Sequence, residues 1–237
     1  MSIDAAGGGS APGGQGRRAS DAPPAAGAAD SPPAGTPRPR IGLFGGSFDP
    51  VHIAHVALAR VALEQLELDG VRWVPASQAW QKSRELAPAV HREAMVRLAI
   101  ADEPRFTVDR AELRRGGMSY TLDTVRELHV AEPGIDWFLI LGQDQYAGLH
   151  TWRDWRELVG LVTLVIAPRP GAPDVDPRVA SSPHRRVTLP MMNESSTDIR
   201  ELIAAGKPID ALVPPAVAGY IERHQLYRSP SDHPPRS

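Results

Sequence analysis

Ile41-Gly42-Leu43-Phe44-Gly45-Gly46-Ser47-Phe48-Asp49-Pro50-Val51-His52-Ile53-Ala54-His55 runs from a short apolar segment, through a glycine turn, into two histidines that open a stretch rich in Ala, Leu and Val. The pattern predicts strand, tight turn, then helix. Such a turn brings backbone N–H groups and a helix N-terminus to one point, which is where phosphates bind. Histidines three residues apart share a helix face, so His52 and His55 can reach the same anion. The stretch therefore predicts a triphosphate site. Taken alone, it equally suits two packed or solvated histidines at a helix start.

Other nucleotide and metal motifs do not fit the same residues. A Walker loop needs Gly-Lys-Ser/Thr after its glycines, and Ser47 and Phe48 follow Gly46. Gly42, Gly45 and Gly46 do not supply the G-x-G-x-x-G order of a dinucleotide fingerprint. A zincin needs Glu after its first histidine, where Ile53 stands, and no third zinc ligand lies nearby. No metal ligands are assigned.

A second segment points to the same chemistry. Glu194-Ser195-Ser196-Thr197-Asp198-Ile199-Arg200 precedes a short helical pattern closed by Gly206 and Pro208. Ser195 or Ser196 suits the N-cap and Asp198 the first turn. Ser196 and Arg200, four apart, can offer hydroxyl, backbone N–H and guanidinium to a phosphate. By itself the segment reads as readily as a capped surface helix with a solvated arginine.

Across the chain, strands are expected at Ile41–Phe44, Val71–Val74, Phe106–Val108, Trp137–Leu141, Leu161–Ala167 and Val187–Leu189. Several are continuous apolar runs, which suit a parallel sheet buried on both faces. Helical patterns fall at His52–Leu68, Ala89–Ala101 and Thr121–Ala131, with shorter ones at Trp155–Val159, Thr197–Ala205 and Pro215–Arg223. The alternation predicts a single α/β domain over residues 41–228, a doubly wound, mostly parallel sheet with ligands at the carboxyl ends of its strands. Residues 1–40, almost entirely Gly, Ala, Pro, Ser, Asp and Arg, and residues 229–237, rich in Pro and Ser, read as disordered tails.

Composition sets the outer limits. A net charge of −2 gives no electrostatic case for nucleic acid or an anionic membrane. The absence of cysteine excludes disulfides, cysteine catalysis and thiolate metal sites and is compatible with the cytoplasm. No apolar run approaches the length of a membrane span. Oligomeric state is not written in the residues.

The glycine-histidine turn and the late Ser-Ser-Thr-x-Ile-Arg segment together resemble the nucleotidyltransferase superfamily. Ser119-Tyr120-Thr121, Gly142-Gln143-Asp144, Thr151-Trp152 and Arg169-Pro170-Gly171 narrow the resemblance to the bacterial nicotinate-nucleotide adenylyltransferases, over about Ile41 to Arg228. Three departures stand out: Ala54 where the family usually has Gly, Glu194 where it has an apolar residue, and Ala79-Trp80-Gln81-Lys82 where it has P-P-H-K. Only Lys82 of that loop carries over.

The resemblance implies a Rossmann-like arrangement and transfer of the adenylyl group of ATP, brought with Mg²⁺, to nicotinate mononucleotide. It implies catalytic roles for His52, His55 and Arg200, with His55 near the α-phosphate. ATP would meet Gly45, Gly46, Ser47, Phe48, Lys82, Asp144, Ser196 and Thr197. The mononucleotide would meet Ser119, Tyr120, Thr121, Trp152 and Arg169, with Trp152 stacked on the pyridine ring. Three other readings share parts of the pattern: a nucleotidyltransferase for the amide mononucleotide or another phosphorylated acceptor, a fragment related to class I aminoacyl-tRNA synthetases, and a silent nucleotide-binding module. The second lacks a K-M-S-K-S segment and basic character.

Overall fold

A computed structural model describes residues 37–79, 85–168, 171, 174–190, 192 and 194–228. The expected tails, apart from residues 37–40, lie outside the described residues, as do Lys82 and Arg169. Residues 38–40 join the structure: Arg38 ion-pairs with Asp136 at 3.4 Å, and the Pro39 carbonyl accepts the Asp136 N–H.

Among the described residues, eight strands occur in chain order: β1 (Arg40–Gly46), β2 (Gly70–Pro75), β3 (Gln78–Ala79), β4 (Phe106–Val108), β5 (Met118–Ser119), β6 (Asp136–Gly142), β7 (Thr163–Ala167) and β8 (His184–Arg186). The helices are α1 (Ile53–Gln65), α2 (Ala89–Ala99), α3 (Ala111–Arg115), α4 (Thr121–Ala131), α5 (Gln143–Ala147), α6 (Trp155–Leu161), α7 (Pro177–Ala180), α8 (Ser196–Ala204) and α9 (Pro215–Arg223). Six strands form one sheet in the order β4-β2-β1-β6-β7-β8, all paired in parallel. This is the doubly wound order, which reverses direction between β1 and β6. β3 and β5 pair separately.

The continuous apolar runs divide residue by residue between two cores, because successive strand side chains point to opposite faces. Phe44, Phe138, Ile140 and Val165 pack on one face with residues of α1, α2, α8 and α9. Leu43, Leu139, Leu141, Leu164 and Ile166 pack on the other with residues of α4 to α7. Burial on both faces is why a parallel sheet reads as near-continuous hydrophobicity.

One strand differs from expectation. The last ladder lies at His184–Arg186, pairing Leu164 with His184 and Ile166 with Arg186, rather than at Val187–Leu189. β8 is an edge strand with two exposed arginines; the apolar Val187 follows it into the core, 1% exposed. Charged side chains on an edge also discourage pairing with another chain. Leu161 closes α6 instead of opening β7. The elements not anticipated, β3, β5, α3, α5 and α7, are too short to display a hydrophobic period.

Candidate active site

A cavity of about 900 Å³ opens at the carboxyl ends of β1 and β6, where the sheet order reverses. Crevices at such points receive ligands because neighbouring connections leave to opposite faces. Gly45, Gly46 and Ser47 leave β1 to form one wall, continued by His52 and His55. A Cβ at Gly46 would crowd the buried ring of Phe48 beneath it, 3.0 Å from its ring atoms. Phe48 has φ +47 and is 1% exposed, its ring against Phe44, His55 and Trp73. Its side chain therefore underpins the turn and does not line the cavity.

His52 is the N-cap of α1, and His55, at the third helical position, accepts its N–H through Nδ1 at 3.2 Å. That bond leaves Nε2 as the protonated nitrogen of a neutral His55. The two rings stack with centroids 3.7 Å apart. Burial lowers the His52 pKa to about 4, so this imidazole is neutral at pH 7. Its Nδ1 is buried without a hydrogen-bond partner.

The opposite wall comes from α8. Ser195 is its N-cap, accepting the Asp198 N–H at 3.1 Å. Ser196 and Thr197 open the helix and line the cavity. The helix is bolted to the β1 turn: Ser196 Oγ donates to the Pro50 carbonyl at 2.9 Å, and Arg200 donates to the Asp49 carbonyl at 2.7 Å. Arg200 also donates to the Ser196 carbonyl and Thr197 Oγ1. Its guanidinium thus holds the two phosphate-facing segments together and is not among the cavity-lining groups.

The third side is built by β5, α4 and the segment after β6. Ser119 and Thr121 line the cavity. Tyr120 is the N-cap of α4, its ring 4.4 Å below the Arg153 guanidinium and outside the lining. Asp144, in the first turn of α5 whose N-cap is Gly142, lines the cavity, as does Trp152. Trp152 packs on the core with one part of its ring, and its indole N–H is buried without a partner.

Two groups escaped the sequence reading. Arg92, 1% exposed, donates to the carbonyls of Ala87, Ser47, Ala76 and Ser77 at 2.7–3.0 Å. A signal existed: Arg92 falls on the helix face of Met95, Val96 and Ala99, all buried. Because C=O and N–H are anti in a trans peptide, fixing the Ser47 carbonyl also fixes the direction of the Phe48 N–H. Glu112 of α3, 6% exposed, lines the cavity, and burial raises its carboxyl pKa. No local pattern marks it. Asp49 is enclosed beneath the turn, accepting from the Tyr227 hydroxyl at 2.7 Å and the Ala87 N–H.

The arrangement presents two helix N-termini to one space, with an indole and a third helix N-terminus beside it, which suits two phosphate-bearing ligands, one of them aromatic. Comparisons with known proteins point the same way. Residues 43–202 match the cytidylyltransferase-like family. A protein of Methylibium petroleiphilum named "probable nicotinate-nucleotide adenylyltransferase" is 50% identical over 202 residues, covering 82% of this chain and 95% of that one. A Bordetella petrii protein of the same name is 48% identical over 196 residues, covering 80% and 99%. Among solved structures, Plasmodium falciparum nicotinic acid mononucleotide adenylyltransferase complexed with NaAD superposes with a TM-score of 0.67 at 19% identity, covering 80% of this chain and 97% of that one.

Proposed function

We propose a function from one premise: the chain belongs to the cytidylyltransferase-like family and, within it, to the nicotinate-nucleotide adenylyltransferases. It transfers the adenylyl group of ATP to nicotinate mononucleotide, giving nicotinate adenine dinucleotide and pyrophosphate, a step of NAD biosynthesis. A phosphate oxygen of the mononucleotide forms a bond to the α-phosphorus of ATP. The α–β bridging bond breaks, and its electron pair leaves on pyrophosphate. No protein nucleophile is needed, since a phosphate monoester is largely ionised at neutral pH. The protein's work is to align two polyanions and to stabilise charge on the leaving group.

The observation that carries the reading is the convergence of the α1 and α8 N-termini on one cavity that also holds Trp152 and Thr121. In this reading the N–H groups around Gly45, Gly46, Ser47 and Phe48, with His52 and His55, hold the triphosphate, His55 Nε2 nearest the α-phosphate. Ser196, Thr197 and Arg200 hold the β- and γ-phosphates, and Arg200 also keeps their helix against the turn. Asp144 accepts ribose hydroxyls. Trp152 stacks on the pyridine, and the N–H groups opening α4 at Ser119, Tyr120 and Thr121 take its carboxylate. Lys82 and Arg169 are proposed to add positive charge from their loops.

Mg²⁺ is proposed to arrive on ATP. No group of three or more His, Cys, Asp or Glu suited to a metal occurs among the described residues. The donor set therefore fits an ion held mainly by substrate phosphates and water. The Glu194 carboxylate on the cavity wall, with Oε2 buried and partnerless among the described residues, is one protein oxygen that could face it. When bound, the ion neutralises charge on the departing pyrophosphate.

No helix among the described residues is long and apolar enough to cross a membrane. Independently of that, we propose a cytoplasmic location and residues 41–228 as the catalytic domain. The test is pyrophosphate release from Mg²⁺-ATP with nicotinate mononucleotide or nicotinamide mononucleotide. Preference for the acid, with the dinucleotide identified by mass, is expected. Turnover with neither overturns the reading and favours a silent nucleotide-binding module.

A further inference from the structure

Glu112 is a buried carboxyl on the wall of the cavity that, under the proposed function, also receives the carboxylate of the pyridine. Thr124 Oγ1, itself receiving an N–H from Arg115, donates to Glu112 Oε1 at 2.9 Å. The Ser119 hydroxyl is also hydrogen-bonded to Glu112, and Ser119 Oγ accepts the Ser77 N–H at 2.9 Å. Glu112 thus lies one hydroxyl away from the residues that open α4. With nicotinate mononucleotide as substrate, those residues take the pyridine carboxylate, and the role of Glu112 rests on that reading.

We propose that Glu112 is a specificity-determining residue that binds the acid mononucleotide in its protonated form, so that the pyridine pocket takes up a proton with the acid and not with the amide. Two carboxylates sharing one enclosed site cannot both ionise without cost, and the weaker acid takes the proton. A pyridine carboxylate arriving in water is the stronger acid of the two, because Glu112 is buried. The charged groups facing Glu112 are Arg115 of its own helix, which favours the ionised form, and Glu127 of α4, which opposes it. Arg115 is shared: it pairs with Glu127 at 2.7 Å and is not dedicated to Glu112. Burial already raises the Glu112 pKa, and a second carboxylate raises it further.

Below the raised pKa, Glu112 carries a proton and the acid binds well. As pH climbs through it, the pocket gains a negative charge, and the KM for the acid rises while that for the amide stays level. The titrating phosphate is common to both mononucleotides and cancels in the ratio of their KM values. One pKa unit of interaction corresponds to about a tenfold change.

The experiment measures the acid-to-amide ratio of kcat/KM between about pH 5 and pH 9, above the ordinary carboxyl range. In the parent enzyme the ratio is expected to fall about tenfold as pH rises. In Glu112→Gln, which keeps the shape and a neutral charge, it is expected to be flat. A calorimetric measurement needs no variant. With a non-hydrolysable ATP analogue present, binding of the acid in two buffers of different ionisation enthalpy, repeated across the same pH range, should register proton uptake, and binding of the amide none. A flat ratio in the active parent enzyme, or equal proton uptake for both ligands, overturns the assignment to Glu112 alone. Turnover with neither mononucleotide overturns the substrate reading and this proposal together.

Discussion

Replacing Arg92 by Met keeps the volume of a buried side chain and removes the donors to four carbonyls. Those donors tie Ser47 of the phosphate turn, Ala76 and Ser77 after β2, and Ala87 before α2. The bonds to the Ser47, Ser77 and Ala87 carbonyls are only partly buried, so water can recover part of their loss. The hydrogen bond to the Ala76 carbonyl is fully buried, and an unsatisfied buried acceptor costs about 1–3 kcal/mol. With the other three carbonyls partly rescued by solvent, the net loss is about 3 kcal/mol, a large share of a typical domain's stability. Arg92→Lys keeps the charge but presents one compact ammonium instead of a planar fork, so it should recover only about half of this. Turnover should fall further than stability alone requires, by about tenfold or more, because an unfixed Ser47 peptide lets the Phe48 N–H turn away from the phosphate. Urea titration gives the stability. Pyrophosphate release at a temperature where each variant remains folded gives the rate. An Arg92→Met variant within about 1 kcal/mol of the parent and equally active would refute the claim that this arginine sets the turn.

Substitutions at the residues that face the ligands should act on turnover and binding more than on the fold. His55→Ala should lower turnover about a hundredfold with the fold intact, the scale of removing one donor made effective in the transition state; near-parent activity would remove His55 from the reaction. Trp152→Ala should raise the KM for the mononucleotide about tenfold and leave that for ATP almost unchanged, whereas equal rises would assign the indole to packing. His52 has a pKa of about 4 in the folded protein against an ordinary 6.5, so the unfolded chain binds the extra proton more readily. Stability is therefore full above about pH 6.5 and falls by about 3 kcal/mol as pH drops through about 4. His52→Asn should flatten that part of the curve relative to the parent, and a parallel curve would show that His52 is not its source.

What could be read from the residues was local in origin. The spans of α4 and α9 match expectation because a Thr or Pro start, a helical period and a short breaker-bounded length are all encoded within a dozen residues. The strand-turn-helix of Gly45 to His55 was legible for the same reason, and so was the alternation that leads to a doubly wound sheet. The tertiary structure decided where those pieces meet and what each side chain does there. Arg200, read as a phosphate ligand, also reaches a carbonyl 151 residues earlier and holds α8 to the turn. Phe48 lies under the glycines and His52 is neutral, because both are enclosed by residues of other elements. Glu112 and Arg92 emerged as cavity-wall and turn-holding groups through partners that only the folded sheet brings near. A sequence records capping and periodicity directly, since those depend on neighbours along the chain. It records burial and charge state only through the packing of distant segments, and that packing set the chemistry of this cavity.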